Sequence, residues 1–175
     1  SILDYSVEGK ESDKAISAAL EETLRAVKNA GKNPEIPFAV FKPTAFGKHH
    51  ALEVLSGEGT PDAETKEEGE KFRSRIGTLC KTAFAYDIPI MIDAEDTYIQ
   101  HFIDKVVMEM MQKYNKKKCI VFNTYQMYRH DRIAILEADI KKAREEKFFL
   151  GAKFVRGAYM ERERLRAEKM GYEDP

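Results

Sequence analysis

The chain has 175 residues, 43% of them apolar, which is the size of one domain and enough for a single core of ordinary depth. Its 29 basic and 30 acidic side chains leave a formal net charge of −1, so no long-range field recruits nucleic acid or an anionic membrane, and partners are expected to be small molecules or proteins. Cys80 and Cys119 stand apart, with no CxxC and no histidine spacing for zinc, and no apolar run approaches the roughly 20 residues needed to span a bilayer.

Short apolar or β-branched runs alternate with longer segments of helical periodicity, the order that builds a parallel sheet with crossover helices. The first strand is expected over Ser1–Val7, and its abrupt apolar start suggests that further sequence precedes it. Asp13–Ala30 follows as a helix with Ile16, Ala19, Leu20, Leu24 and Val27 on one side and a stop at Gly31 and Pro34. A second strand is expected at Ile36–Lys42. Ser56–Gly69, rich in glycine and acid, is expected to be a surface loop leading into a helix capped near Thr60–Pro61 or Asp62. Phe72, Ile76, Leu79, Cys80 and Ala83 mark that helix. The third strand is Ile88–Asp93, and Thr97–Tyr114 is the clearest helix, its stripe from Tyr98 to Met111 belonging to the core. The fourth strand is Cys119–Asn123, the next helix carries Ile133, Leu136, Ile140 and Ala143, and the fifth strand is Gly151–Arg156. The charges of Glu161–Arg166 recur at helical spacing, as on a surface helix.

This alternation fits a closed (βα)8 barrel or an open doubly wound sheet. Gly57 and Gly59 do not follow a strand and no third glycine completes GxGxxG, which disfavours a dinucleotide fold. In a parallel β/α protein functional groups gather at the carboxyl ends of strands, so the polar residues there are the candidates. They are Lys42, Asp93 with Glu95, Asp96 and Thr97 behind it, Asn123 with Tyr125 and Gln126, Lys153, and Arg156 to Tyr159. Asp93 can cap a helix or pair with a lysine, and Asp96 or Thr97 is expected to do the capping. Lys153 interrupts an apolar strand, and a lysine facing a barrel interior is costly unless paired or met by an anionic ligand. Arg156 precedes Gly157 and Ala158, a cation beside backbone that a bulky planar ligand can approach closely. His49 and His50 are expected to be solvated rather than metal-binding, His101 and His130 to be isolated on helical segments, and Lys116–Lys118 to form a basic turn. These groups suit a flavin enzyme and a Schiff-base aldolase about equally, since a desolvated Lys42 or Lys153 is a fair nucleophile.

The wording of the strand ends adds a resemblance. IPFAVFKPTAFG, MIDAEDTYIQ, VFNTYQMYRHD and GAKFVRGAYMERERLRAEKMGYEDP resemble, in this order and spacing, the second-strand lysine, the IDAE segment, the NTYQ strand and the GAY segment of proline dehydrogenases, and DYSVEGKES resembles their first barrel strand. The resemblance implies a distorted (βα)8 barrel that holds FAD noncovalently, oxidises L-proline to Δ1-pyrroline-5-carboxylate and passes electrons to a membrane quinone. By resemblance, Lys42 favours the substrate carboxylate, Asp93 orients the cationic groups around it, and Tyr159 walls the proline pocket. Asn123 stands where the family sets an amide against the flavin, and Lys153 lies near the pyrimidine end, where a fixed cation stabilises the charge gained on reduction. Val155, Arg156, Gly157, Ala158 and Tyr159 contact the cofactor. By wording the segments look closer to the stand-alone bacterial and mitochondrial-type enzymes than to the long bifunctional ones, in which an arginine stands at the position of Lys153 and an aromatic at that of Met160.

Such a barrel needs roughly eight strands. Residues 1–175 are expected to supply about five βα units of it, an α/β domain without the family's later histidine segment or the last helix whose arginines grip proline. This stretch alone is therefore expected to hold FAD weakly, to turn over no proline and to self-associate along its open edge. The full-length protein is expected in the cytoplasm or peripherally on the inner membrane of a bacterium, or in the mitochondrion of a eukaryote. The competing expectations are a Schiff-base aldolase and a noncatalytic half-barrel.

Overall fold

The computed structural model describes the backbone at residues 3–5 and the chain from 12 to 173. The rest of the expected first strand, and most of DYSVEGKES, lie outside the described residues. Five strands form one sheet in the order β1-β2-β3-β4-β5, namely Leu3–Tyr5, Ala39–Phe41, Ile90–Ile92, Val121–Gln126 and Ala152–Val155. Every neighbouring pair is parallel. This sequential order decides between the two expected architectures. A doubly wound sheet reverses its strand order at a switch point, whereas uninterrupted right-handed crossovers carry all helices to one face and curl the sheet toward a barrel. The fold is part of a (βα)8 barrel.

Between the strands run α1 (Asp13–Lys32), α2 (His49–Glu53), α3 (Ala63–Ala85), α4 (Thr97–Tyr114), α5 (Arg132–Glu145) and α6 (Met160–Met170). Ser12 caps α1 by accepting from the Ala15 N–H at 3.3 Å, Asp62 caps α3 by accepting from Thr65 at 2.8 Å, and Asp96 caps α4 by accepting from Tyr98 at 3.1 Å. Each is a short polar side chain that satisfies an N–H left without a carbonyl in the first turn.

Two local expectations are corrected. Gly31 does not stop α1, which continues to Lys32; a Cβ there would meet the Tyr86 Cβ at 2.6 Å, so the glycine serves a close helix-to-turn approach. The stretch 63–69 is the first part of α3 rather than loop, because the Asp62 cap starts the helix within the acidic run, and Val54–Glu58 continues α2 as a turn of π-helix.

The core lies between the sheet and its helices. Ala39, Phe41, Ile90, Ile92 and Val121 of the strands join Val27, Phe72, Ile76, Leu79, Ile99, Ile103 and Val106 in one buried cluster. Because successive strand residues point to opposite faces, Lys42, Met91, Asp93, Phe122, Thr124, Gln126, Lys153 and Val155 belong to the other, concave face. At the amino end of that face Phe38 and Phe122 meet edge to face at 5.9 Å. Burying each large apolar side chain on the helix face is worth about 1.5–3 kcal/mol, and this face holds the strand ends in place.

Candidate active site

The concave face is polar at the carboxyl ends of its strands. The Asp93 N–H donates to the Phe41 carbonyl at 3.0 Å, which extends the β2–β3 ladder by one residue and turns the carboxylate inward. Lys153, in register with Thr124, donates to Asp93 Oδ1, so β5 and β3 are joined across β4 by an ion pair whose side chains are 30% and 21% exposed. A half-buried pair of this kind is held by geometry yet open to a ligand. Lys42 is half-buried just beyond β2 and lies close enough to Glu95 to favour its charged form.

Glu95 is the hub behind these groups. Its carboxylate, 5% exposed, accepts from the Thr44 N–H at 2.8 Å and the Thr44 hydroxyl at 2.7 Å, which ties the turn carrying Lys42 to the end of β3. Burial, opposed by the Thr44 bonds and by Lys42, pushes the Glu95 carboxyl above its ordinary value. The Glu95 N–H donates to Gln100 Oε1 at 2.8 Å, and its carbonyl accepts from Gln126 Nε2 at 2.7 Å.

A closed circuit of buried polar contacts continues from there. Gln100 donates to Asp104 at 2.7 Å, Arg132 donates to Asp104 at 2.7 Å, and Arg132 and Arg129 both clamp Asp131. Arg129 Nη1 returns to Gln126 Oε1 at 3.3 Å. Burial alone would raise the Asp131 carboxyl, but the two guanidinium groups outweigh it and hold the group well below the usual carboxylate range. The circuit fixes the ends of β3 and β4 against α4 and α5, and buried polar networks rigidify when every member is satisfied.

The segment after β5 docks on the same frame. Arg162 of α6 pairs with Asp96, Thr97 donates to Glu163, and the Tyr159 N–H donates to the Tyr128 hydroxyl at 3.2 Å. Glu163 is buried, and burial pushes its carboxyl up, so the expected surface helix has one charged face turned inward. The physical reason is that Thr97, Arg129 and Arg166 lie on that side and give the carboxylate polar company. A cavity of about 580 Å3 runs along Gly157–Arg164. Gly157 opens onto it: a methyl group at its Cα would come no nearer than 4.0 Å to the Met160 Cβ, so the backbone is exposed for close approach.

The structure thus brings together Lys42, Asp93 and Lys153 on one face, which Val155 continues, and leaves Arg156, Gly157 and Ala158 exposed and Tyr159 half-buried at the exit of β5. Asn123 does not join them. It is 2% exposed and donates to Asp104 at 3.0 Å, because its parity along β4 matches Val121 and Tyr125, which face the helices. The amide on the concave face is the buried Gln126, which the two-residue period counted from Lys153's partner Thr124 would have singled out. Arg129 and Tyr128 carried no sequence signal, since they follow the strand in a turn. His130 lies in that turn rather than on a helix, and His49 and His50 flank Glu53 at 3.4 and 3.8 Å. Among the described residues no group of three His, Cys, Asp or Glu side chains is arranged for a metal ion.

A family model described as proline dehydrogenase matches residues 1–175. Mitochondrial proline dehydrogenase 1 of Drosophila melanogaster is 49% identical over 111 residues, 62% of this chain and 16% of that protein. The human mitochondrial protein is 45% identical over 124 residues, 71% of this chain and 20% of its own length. The carbapenem antibiotics biosynthesis protein CarD of Pectobacterium carotovorum subsp. carotovorum is 31% identical over 163 residues, 93% of this chain and 43% of that protein. Among solved structures, proline utilization A from Bdellovibrio bacteriovorus inactivated by N-propargylglycine superposes with a TM-score of 0.79 at 16% identity, covering 99% of this chain and 19% of that one. The chain therefore spans less than half the length of each of these relatives.

Proposed function

This chain belongs to the proline dehydrogenase family, and from that premise we propose that residues 1–175 are part of a barrel domain that oxidises L-proline to Δ1-pyrroline-5-carboxylate. The observation that carries the proposal is the Lys153–Asp93 ion pair on the concave face, with Lys42 on the neighbouring strand end. The pair lies at the carboxyl ends of the strands, where parallel β/α enzymes gather their chemistry.

The residues present fit a flavin on one side. The exposed backbone at Gly157 admits a flat ring system, and the 580 Å3 cavity has Arg162 and Arg164 in its wall for the anionic part of a dinucleotide. FAD, when bound, supplies the hydride acceptor for the carbon next to the substrate nitrogen. Lys153 provides the cation, held in place by Asp93, that offsets charge arising during the reaction. Lys42 attracts the substrate carboxylate, and the Asp93 carboxylate orients the cationic groups around the substrate. Val155, Arg156, Gly157, Ala158 and Tyr159 line the cofactor side, and Tyr159 also borders the substrate. The Glu95 hub and the arginine-clamped Asp131 keep these strand ends from moving apart, which excludes water from behind the site. The Lys153 amine is engaged by the Asp93 carboxylate, which leaves it less accessible for the Schiff base of an aldolase.

For the complete protein we propose a quinone as electron acceptor through peripheral membrane contact, in the mitochondrion for a eukaryotic source and at the inner membrane for a bacterial one. We propose that residues 1–175 alone hold FAD weakly, give no turnover and self-associate through the edge where Phe154 is 58% exposed. The test is anaerobic titration of the purified complete gene product with L-proline. Bleaching of flavin absorbance together with an imine product is expected; a colourless protein, or a flavin that proline leaves oxidised, refutes the proposal.

A further inference from the structure

At the junction of β4, β5 and α6 one hydrogen-bond donor is left over. The Tyr128 oxygen accepts from Gln126 Nε2 at 3.0 Å and from the Tyr159 N–H at 3.2 Å. Those two bonds use both lone pairs of a phenol oxygen, so its own hydrogen must point elsewhere. None of the described residues accepts it. Gln126 turns its Nε2 to the phenol oxygen, a nitrogen that donates there and to the Glu95 carbonyl at 2.7 Å and offers no lone pair in return. Its Oε1 is meanwhile engaged by Arg129 at 3.3 Å. Tyr128 is half-buried, so the donor is both oriented and reachable. It stands between Gln126, which is in register with Val155, and Tyr159, which borders the 580 Å3 cavity.

We propose that Tyr128 is a further binding residue of this site, its hydroxyl donating to an acceptor oxygen or nitrogen of the flavin ring system. The inference rests on the flavin-dependent reading above. Two N–H groups donating to the same oxygen pull electron density from the phenol and make it a better donor, which gives the arrangement a purpose beyond packing. A donor aimed at the ring favours the more electron-rich, reduced state over the oxidised one.

The experiment compares the complete gene product with its Tyr128→Phe variant and with a protein carrying a ring-fluorinated tyrosine at position 128. Phenylalanine keeps the ring and removes the hydroxyl; fluorination keeps both accepted bonds and strengthens the donor, and it remains informative if Tyr128→Phe fails to fold. Expected for Tyr128→Phe are an FAD dissociation constant raised about tenfold, a flavin midpoint potential shifted negative and a displaced visible absorption band. Fluorination is expected to shift the potential the opposite way. If Tyr128 only tethers Tyr159, binding weakens while potential and spectrum stay unchanged, and the inference is overturned. A wild-type protein that takes up no FAD overturns the flavin reading and this inference together. A wild-type protein that binds FAD beside variants of unchanged potential overturns the inference alone.

Discussion

Replacing Asn115 with alanine is expected to be among the most destabilising single changes in this domain. Asn115 is 0% exposed and caps α4, yet its side chain serves the sheet. Its Oδ1 accepts from the Ile120 and Val121 N–H groups at 2.9 and 2.8 Å, and its Nδ2 donates to the Val121 and Phe149 carbonyls at 2.8 and 2.9 Å. Alanine strands four main-chain groups at the start of β4 and the approach to β5. Each buried group left unsatisfied costs about 1–3 kcal/mol; taking the low end, because water can enter the space vacated, the loss is about 4 kcal/mol. That is a large part of the roughly 5–15 kcal/mol that holds a typical domain folded. Asn115→Asp keeps both acceptor bonds but turns a carboxylate toward two carbonyl oxygens, so at neutral pH it should be no better than alanine and should recover partly in acid, where the protonated group donates once. Urea unfolding gives the global loss from the midpoint at unchanged slope, and amide exchange at Ile120 and Val121 gives the local one. A loss under about 1 kcal/mol for Asn115→Ala, with those amides still protected, would refute the assignment of Asn115 as the clamp between α4, β4 and β5.

Gly151→Ala should cost about 3 kcal/mol or more by overpacking, because its Cβ would lie 2.2 Å from the Val121 carbonyl oxygen and 2.9 Å from the Phe122 Cα, both backbone atoms that cannot step aside; a melting temperature unchanged from wild type contradicts this. Glu95 has a folded-state pKa raised above its ordinary 4.5, so its contribution to stability is complete below that value and declines as pH rises through the folded pKa. Glu95→Gln should remove that decline, gaining on the wild type in urea midpoints as the pH rises above the ordinary carboxyl value, and equal pH profiles count against it. Arg132→Met leaves Asp104 and Asp131 without their shared guanidinium and should cost about 3–5 kcal/mol by chemical denaturation, a buried pair being dearest when half of it is removed. Lys153→Met should lower turnover by about 10²–10³ in the complete protein while leaving its unfolding midpoint within about 1 kcal/mol, since the pair it breaks is part-exposed; unchanged turnover would remove Lys153 from the proposed site.

Much of the architecture was legible because it is written in local chemistry. Thr97–Tyr114 matches α4 residue for residue, since the Asp96 cap and a long apolar stripe both act within a few residues of each other. The strand positions followed from short apolar runs, although β2 and β3 proved only three residues long. Gly31 misled because glycine signals two things, a helix end and a close approach, and only the packing against Tyr86 tells them apart.

The site divides along the same line. Which strand ends carry charge was determined by the sequence alone, because a lysine or aspartate breaking an apolar run is visible as a break. The likeness to proline dehydrogenases was carried by the same short segments. What only the tertiary structure decided is which of those charges meet. Lys153 and Asp93 are 60 positions apart in the chain and join because β4 lies between their strands. Asn123 turns away to Asp104, while Gln126 takes the concave side of β4 and bonds the Glu95 carbonyl at the end of β3. Facing is set by the parity of each strand against its neighbours and by the turn that follows it, and both arise from pairings between distant segments that no local pattern encodes.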